Sequence, residues 1–415
     1  MQKSLIAVAV GGALAVIGAA PALAQNATVN VYGTFYGEFA SISNGAKTGT
    51  NDQFQRYDHF QNPGSEIGFR GEEKLGGGLS AWFQCNSSID YRGSGNSASN
   101  NSQAGSTWCT RNSALGMKGG FGNIFYGNWQ TPYTRISNAG NVGSNDTGVF
   151  GNAHIMTGTS TTTGISSPTA GSGGVVAAGA TTFGGQINNL QPGVFRRRQN
   201  NLATYETPNF SGFTGMGSVT TRNYASAATS AQLKTRLWSL GGMYNNGPLF
   251  IGAAYEKHKD MYQVAANIGG DESAWQLAGS YKFSNNLTLG GAYNDIKSTV
   301  ALGSDVTIKT WHIGIDWMIS GPHGVKAAYS RAGDTKGLVG AVMPTRPAVN
   351  AGGATSADMW QIRYVHMLSK RTELNVGYSR TNNRANGTYE TGGANSTQFP
   401  GADSNAIAAS MKHSF

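Results

Sequence analysis

Along most of the chain, apolar and polar residues alternate one by one. Trp311, Ile313, Ile315 and Trp317 alternate with His312, Gly314, Asp316 and Met318. Trp275, Leu277, Gly279, Tyr281 and Phe283 alternate in the same way with Ala274, Gln276, Ala278, Ser280 and Lys282. Leu287, Leu289, Gly291 and Tyr293 continue the rhythm, as do Val325, Ala327 and Tyr329, and then Leu374, Val376 and Tyr378. A period of two is the signature of a strand with one apolar face and one polar or small face. It predicts strands near 28–42, 56–71, 79–91, 107–118, 122–129, 197–206, 212–223 and 233–244. The second half adds 248–258, 272–283, 286–298, 306–318, 324–333, 357–367, 373–382 and 404–415, which makes sixteen.

The connections alternate short and long. Gly119-Gly120-Phe121, Asn245-Asn246-Gly247, Ser284-Asn285 and Ser320-Gly321-Pro322 are tight turns, and 92–106, 334–356 and 383–403 are long loops between them. A soluble β-sandwich shares the period of two but not the rest. The strands run about 10–12 residues, the length a tilted strand needs to cross a bilayer. Aromatic residues such as Trp311 and Trp317 sit near the ends of the apolar face, where an interfacial girdle belongs. The expected fold is all-β: a sixteen-stranded antiparallel transmembrane β-barrel, with an even strand number, short turns on one rim and long loops on the other.

One loop, the third, runs from about 130 to 196. Between Arg135 and Arg196 its one full charge is Asp146, and Gly, Thr, Ser, Ala and Asn fill most of the rest. Loops beyond about 15 residues are functional or disordered. This one follows the fifth strand and is expected to send part of its length into the barrel lumen.

Composition sharpens the picture. Sixty glycines among 415 residues and only 12% charged residues disfavour a charged, helix-rich enzyme. The 17 Tyr, 17 Phe and 8 Trp are too many aromatics for a solvated coil. The formal charge of +9 comes from scattered residues with one cluster, Arg196-Arg197-Arg198, and no nucleic-acid motif accompanies it, so no nucleic-acid partner is expected. Lys3, the apolar stretch from Leu5 to Ala20 and Pro21-Ala22-Leu23-Ala24 read as a signal peptide over 1–24, leaving a barrel over 25–415. After residue 25 no run of 18 apolar residues occurs that would form a spanning helix.

Five stretches in register carry a family resemblance over nearly the whole chain. They are Val29-Asn30-Val31-Tyr32-Gly33, the run from Glu66 to Leu79 (EIGFRGEEKLGGGL), Phe121-Gly122-Asn123-Ile124 leading to Gly127 and Thr131-Pro132, Asn200 to Tyr205 before Pro208-Asn209-Phe210, and the terminal Met411 to Phe415. Together they resemble the general diffusion porins of Gram-negative outer membranes, in their β-proteobacterial branch. The resemblance implies a homotrimer in outer-membrane lipid and lipopolysaccharide, inserted by the outer-membrane assembly machinery, which would read Phe415. It implies passive passage of small hydrophilic solutes and ions through a channel narrowed by the third loop, with no cofactor.

The resemblance also places a basic wall opposite that loop. Arg111 and Arg198 fall on wall positions, and Arg196 lies beside them. A third wall position, usually Arg, is Glu66, an acidic lumen position is Asn86, and the acidic position of the first strand is Tyr36. Alternation independently turns Glu66, Gly68, Arg70 and Glu72 inward, with Lys282 and Lys326 on the inward parity of their own strands. Together with Asp146 on the loop, these groups set the expected selectivity, and the balance predicts weak anion preference.

Cys85 and Cys109 lie on consecutive strands of an exported chain, so an intrachain bridge is expected if the hairpin centres near residue 97. Two free thiols facing lipid, or a contact between protomers, are the alternatives. The seven histidines show no metal-ligand spacing and no nucleophile signature, and no enzyme is expected. The rival function is a substrate-specific channel, with a surface adhesin or receptor barrel behind it.

Overall fold

The computed structural model describes residues 28–43, 45, 56–91, 108–145, 147–158, 195–220, 236–265, 268–301, 304–337, 353–391 and 400–415. The signal-peptide segment 1–24, Asp146 and residues 159–194 of the third loop lie outside them. The first strands are β1 (Thr28–Ser43), β2 (Tyr57–Gln61), β3 (Glu66–Gly76), β4 (Leu79–Ser88), β5 (Ser113–Gly119) and β6 (Gly122–Gln130). Two short helices follow, α1 (Pro132–Gly140) and α2 (Ala153–Thr157). Then come β7 (Arg198–Glu206), β8 (Phe213–Thr220), β9 (Arg236–Asn246), β10 (Leu249–Ala265), β11 (Ile268–Lys282) and β12 (Leu287–Ala301). The chain ends with β13 (Ser304–Ser320), β14 (His323–Ala332), β15 (Lys336–Gly337), β16 (Ala357–Ser369), β17 (Thr372–Asn383) and β18 (Ser404–Ser414).

These strands close into a sixteen-strand antiparallel barrel among the described residues, because β2 continues the line of β3 and β15 is a two-residue extension beside β13. Closure joins the ends of the chain. β1 pairs with β3 from Thr28 to Thr34 and with β18 from Thr34 to Ser43, where Thr34 meets Ser414 and Ser43 meets Asn405. Gly33 and Phe415 complete the seam by exchanging backbone hydrogen bonds of 3.2 and 3.0 Å. In hydrocarbon an unpaired edge would leave every second amide unsatisfied, so this seam is obligatory.

Two elements differ from the sequence expectation. The strand expected over 56–71 is broken at Asn62-Pro63-Gly64-Ser65, where Pro63 has no amide hydrogen for the ladder. There Ser65 Oγ accepts from the Tyr36 amide (2.8 Å) and Asn62 Oδ1 from the Ser65 amide (2.9 Å), so side chains replace ladder bonds across the gap. The strand expected from 107 begins only at Ser113. Residues 108–112 form an irregular bend, with Cys109 in the left-handed region at φ 64°.

The outer face has a banded chemistry. Rings meet across neighbouring strands in the pairs Trp275–Tyr293, Trp311–Tyr329 and Trp360–Tyr378, with centroids 5.2–5.3 Å apart. Beyond this belt, on the long-loop side, the outward positions turn charged: Lys297 pairs with Asp305 (2.7 Å) and Lys309 lies 3.7 Å from Asp295. Trp311 therefore sits in the middle of β13 rather than near its end, because the strand continues past the bilayer. Towards the short turns the face stays apolar through Ile313 and Ile319, about 26 Å of strand below Trp311. That is the height of a lipid-facing band.

The opposite face is made of small and polar residues. In β18, Ala406, Ala408 and Ser410 are buried while Ile407 and Met411 are about half exposed (54% and 49%). The same alternation in β16 buries Met359, Gln361 and Arg363 and exposes Trp360, Ile362 and Tyr364. The buried clusters lie on this second face. Tyr133, Ile136, Ile155 and Phe195 gather with inner residues of β8–β16, and Val149 and Phe150 gather with Ala40, Ile42, Ala406 and Ala408.

Candidate functional site

The site is built by the segment from Thr131 to Gly158, which leaves β6 and crosses the face opposite the aromatic belt. Thr131 caps α1 by accepting from the Thr134 amide (3.3 Å), and Pro132 fits the first helical turn, where no amide hydrogen is needed. Ile136 then packs against Gly241 and Gly252, and Gly140 against Ala278. Val142 lies over Gly290 and Gly314. A Cβ at Gly314 would occupy the space of the Val142 carbonyl oxygen, so this close approach requires glycine.

Hydrogen bonds fix the segment to strand after strand. The Tyr133 amide donates to Ser239 Oγ (3.2 Å), and Ser137 Oγ donates to Gln276 Oε1 (2.8 Å). The Met156 carbonyl accepts from Asn294 (3.0 Å) and Thr310 (2.7 Å). His312 donates from Nε2 to the Val142 carbonyl (2.8 Å), and its Nδ1 accepts from Asn152 Nδ2 (3.0 Å). Gln361 Nε2 reaches Ser144 Oγ (2.8 Å), Arg363 Nη2 reaches Asn145 Oδ1 (3.0 Å), and Glu38 Oε1 accepts from the Val149 amide (2.7 Å). The segment is thus tied from β9 round to β1.

The charged side chains include ion pairs and cations that also meet amide oxygens. Arg111 Nε lies 2.5 Å from Glu66 Oε2, so two of the residues expected on the wall hold each other. Arg135 and Glu206 form a second ion pair. Arg198 Nε donates to Asn112 Oδ1 (2.9 Å), the residue that follows Arg111 in the bend. Arg196 donates to Asn152 Oδ1 (3.2 Å) and Asn138 Oδ1 (3.4 Å) and so ties the end of the third loop to its beginning. Burial lowers the Arg197 pKa to about 10 against the opposing pull of Glu256 and Glu272, so it stays charged at neutral pH. Its neighbour Phe195 stacks on the His258 ring at 4.6 Å.

Arg70 meets the same neighbourhood through Tyr32, whose hydroxyl lies within electrostatic reach of Glu66, Arg70 and Arg111. Arg70 is exposed, with its guanidinium 5.1 Å above the Tyr32 ring. Lys326 pairs with Asp316 at 3.2 Å, and Lys282 is exposed where β11 ends at the short-turn rim. Sequence reasoning missed Arg363, whose guanidinium lies 5.0 Å from the Phe150 ring and whose Nε and Nη1 meet no acceptor among the described residues. It also missed Glu38, which supplies an acid on the inner face of β1 two residues after Tyr36. Parity was the available signal, since Arg363 alternates with Ile362 and Tyr364 just as Glu66 does with Ile67.

Cys85 and Cys109 are joined, with Cα atoms 4.6 Å apart. The partner of Cys85 is not a ladder residue of β5 but lies in the bend before it. That bend is held by the Cys109 amide donating to Ser87 Oγ (2.8 Å) and the Arg111 amide donating to the Asn86 carbonyl (2.8 Å). The bridge therefore fixes the bend from which Arg111 and Asn112 project.

Comparison with known proteins agrees with this architecture. A family model described as Gram-negative porin matches residues 7–386. Outer membrane porin protein 32 of Delftia acidovorans is 25% identical over 377 residues, covering 90% of this chain and 88% of that protein. The anion-selective porin from Comamonas acidovorans superposes with a TM-score of 0.67 at 20% identity, over 94% of this chain and 100% of that one. The trimer form of OmpT from Vibrio cholerae superposes with a TM-score of 0.59 at 12% identity, over 94% of this chain and all of its own.

Proposed function

The chain belongs to the Gram-negative porin family, and from that premise we propose a weakly anion-preferring diffusion channel, narrowed where the segment 131–158 lies within the lumen. As a porin it resides in the outer membrane and passes small hydrophilic solutes passively. The observation that carries the finer reading is a set of inner-face arginines held by amide side chains, two of the arginines by this segment and one by the bend before β5. Arg363 is held by Asn145, Arg196 by Asn138 and Asn152, and Arg198 by Asn112. An amide oxygen orients a guanidinium without cancelling its charge, and Arg363 keeps Nε and Nη1 without an acceptor among the described residues. In a narrow passage with low-dielectric walls, a few such charges focus a field that favours anions at the constriction. Glu66 and Glu38 oppose it, which keeps the preference weak.

Passage involves no chemical step, so no catalytic residue is assigned. We assign the chain a homotrimeric state, a cleaved leader over 1–24, contact with lipid and lipopolysaccharide through the belted outer face, and insertion by the assembly machinery through the strand ending at Phe415. Liposome swelling across a solute size series, together with reversal potentials in a potassium chloride gradient, tests the reading. Size-limited, non-saturating uptake with a modest anion preference at low salt supports it. Saturable uptake of one solute class, or a clear cation preference, overturns it.

A further inference from the structure

On the lipid-facing side of the wall, at the short-turn rim, two imidazoles converge. His323 opens β14 and stands directly across the ladder from His366 in β16. Their Nδ1 atoms are 3.4 Å apart and their ring centroids 4.9 Å apart at 46°. Tyr364 Oη lies 2.5 Å from His323 Nδ1 and 3.4 Å from His366 Nδ1. We propose that His323 and His366 form a two-imidazole site for a divalent transition-metal ion, zinc above all.

Three features support the site. The first is the separation. Zinc–imidazole bonds of about 2.0–2.1 Å at a tetrahedral angle place two ligand nitrogens about 3.3–3.4 Å apart, which is the spacing found here. The second is the edge each ring presents. Both rings turn Nδ1 towards one point, where the Tyr364 hydroxyl also lies. Tyr364 Oη can donate to only one of the two nitrogens, and a cation bound to both Nδ1 atoms takes the place of that hydrogen bond.

The third is rigidity. Directly opposed residues of an antiparallel ladder keep their Cβ atoms about 4.5–5.5 Å apart, so two ligands are placed without ordering any loop. His323 and Tyr364 are exposed and His366 half-exposed, so an ion has a path and water can complete its coordination. Imidazole suits zinc, copper and nickel, whereas magnesium and calcium prefer oxygen ligands. The site is on the other side of the wall from the residues assigned to the channel, and it binds at the rim that faces the periplasm when short turns are periplasmic.

The test uses the folded full-length channel in detergent, without a histidine tag. Zinc binding is measured by equilibrium dialysis with metal analysis, and heat unfolding is followed with and without zinc. One zinc per chain is expected, at micromolar affinity, with a rise in unfolding temperature because the ion ties two strands together. His323→Ala and His366→Ala should each weaken binding roughly tenfold or more and abolish the thermal shift. His366→Gln, which keeps size and polarity, should do the same, and His413→Ala should keep both readouts. Unaltered conductance in the His323 and His366 variants shows that they fold. Absence of zinc binding by the parent channel, or undiminished binding by the His323→Ala/His366→Ala double variant, overturns the assignment.

Discussion

Replacing Glu66 with Gln removes the carboxylate that lies 2.5 Å from Arg111 Nε and leaves the guanidinium in place. The expected gain in anion preference follows from simple electrostatics. A lone charge about 6 Å from an ion acts with roughly 3 kcal/mol at an effective dielectric near 20. Screening over a Debye length of about 10 Å at 0.1 M salt reduces this to roughly 1.5 kcal/mol. With the carboxylate beside it, most of that field cancels and about 0.4 kcal/mol remains. Glu66→Gln thus adds about 1 kcal/mol in favour of anions at this point of the wall, roughly fivefold in local partition.

Other charges lie along the inner face and ions pass at varying distances, so the measured permeability ratio should move about two- to fivefold. Reversal potentials in a potassium chloride gradient, at low and at high salt, read this directly. Arg111→Gln should move the ratio the other way, because it leaves Glu66 alone. The double variant should return to within about 0.4 kcal/mol of the parent, and because the fields of the two charges add, its shift should equal the sum of the two single shifts. An unchanged reversal potential in Glu66→Gln at low salt would refute the reasoning, as would a shift that persists undiminished at about 1 M salt, where the Debye length is about 3 Å.

Other predictions follow from the same contacts. Gly314→Val places a side chain where the Val142 carbonyl lies and should push the segment off the wall at a cost of about 1–3 kcal/mol; single-channel recordings should show altered conductance and added open-channel noise. The bridge between Cys85 and Cys109 should leave the unfolded, unreduced chain inert to alkylation, and its loss should cost up to about 3 kcal/mol by the chain-entropy model; quantitative alkylation of that chain counts against it. Deleting Phe415 removes both backbone bonds to Gly33 and should cut the yield of inserted trimer, measured by heat-modifiable migration in outer-membrane fractions. Burial of His154 in α2 lowers its pKa to about 4, so the docked segment refuses a proton that the released one takes up below about 6.5. Docking should be unaffected above pH 6.5 and loosen as pH falls towards 4, seen as rising protease sensitivity between 131 and 158; His154→Gln should make that profile shallower.

The barrel was legible in the sequence because lipid on one side and water on the other enforce a strict period of two. Trp311, Ile313 and Trp317 announce the lipid face without any knowledge of their neighbours, and the closure of β1 on β18 follows from the cost of an open edge. What local pattern could not show was register at irregular points. Pro63 breaks the strand expected over 56–71, and the bend at 108–112 moves Cys109 away from a ladder position. That bend also decides that Arg111 meets Glu66, so a pair expected as two opposing wall charges is a single near-neutral unit. Arg363 was readable by parity alone, but nothing in β16 itself says that Asn145 and Phe150 will come to it from more than 200 residues away.

The seat of the third loop is encoded by side chains that are missing. Gly241, Gly252, Gly290 and Gly314, with Ala278 among them, lie on the inner parity of β9–β13, where the sequence pattern alone reads them as small residues of a wet lining. Their meaning depends on what approaches. Against water, a Cβ at these positions would be harmless; against Ile136 and Val142 it collides, so the small residues mark where Ile136, Gly140 and Val142 rest. Elsewhere on the inner face the wall carries long polar groups such as Gln361, Arg363 and Asn375. The two halves of the device are therefore complementary: Thr131-Pro132 launches a helix at a fixed angle, and the small-residue strip about 110–180 residues later receives it. Filling that strip while keeping the launch intact should leave the barrel closed and its outer belts unchanged, and alter only what passes through.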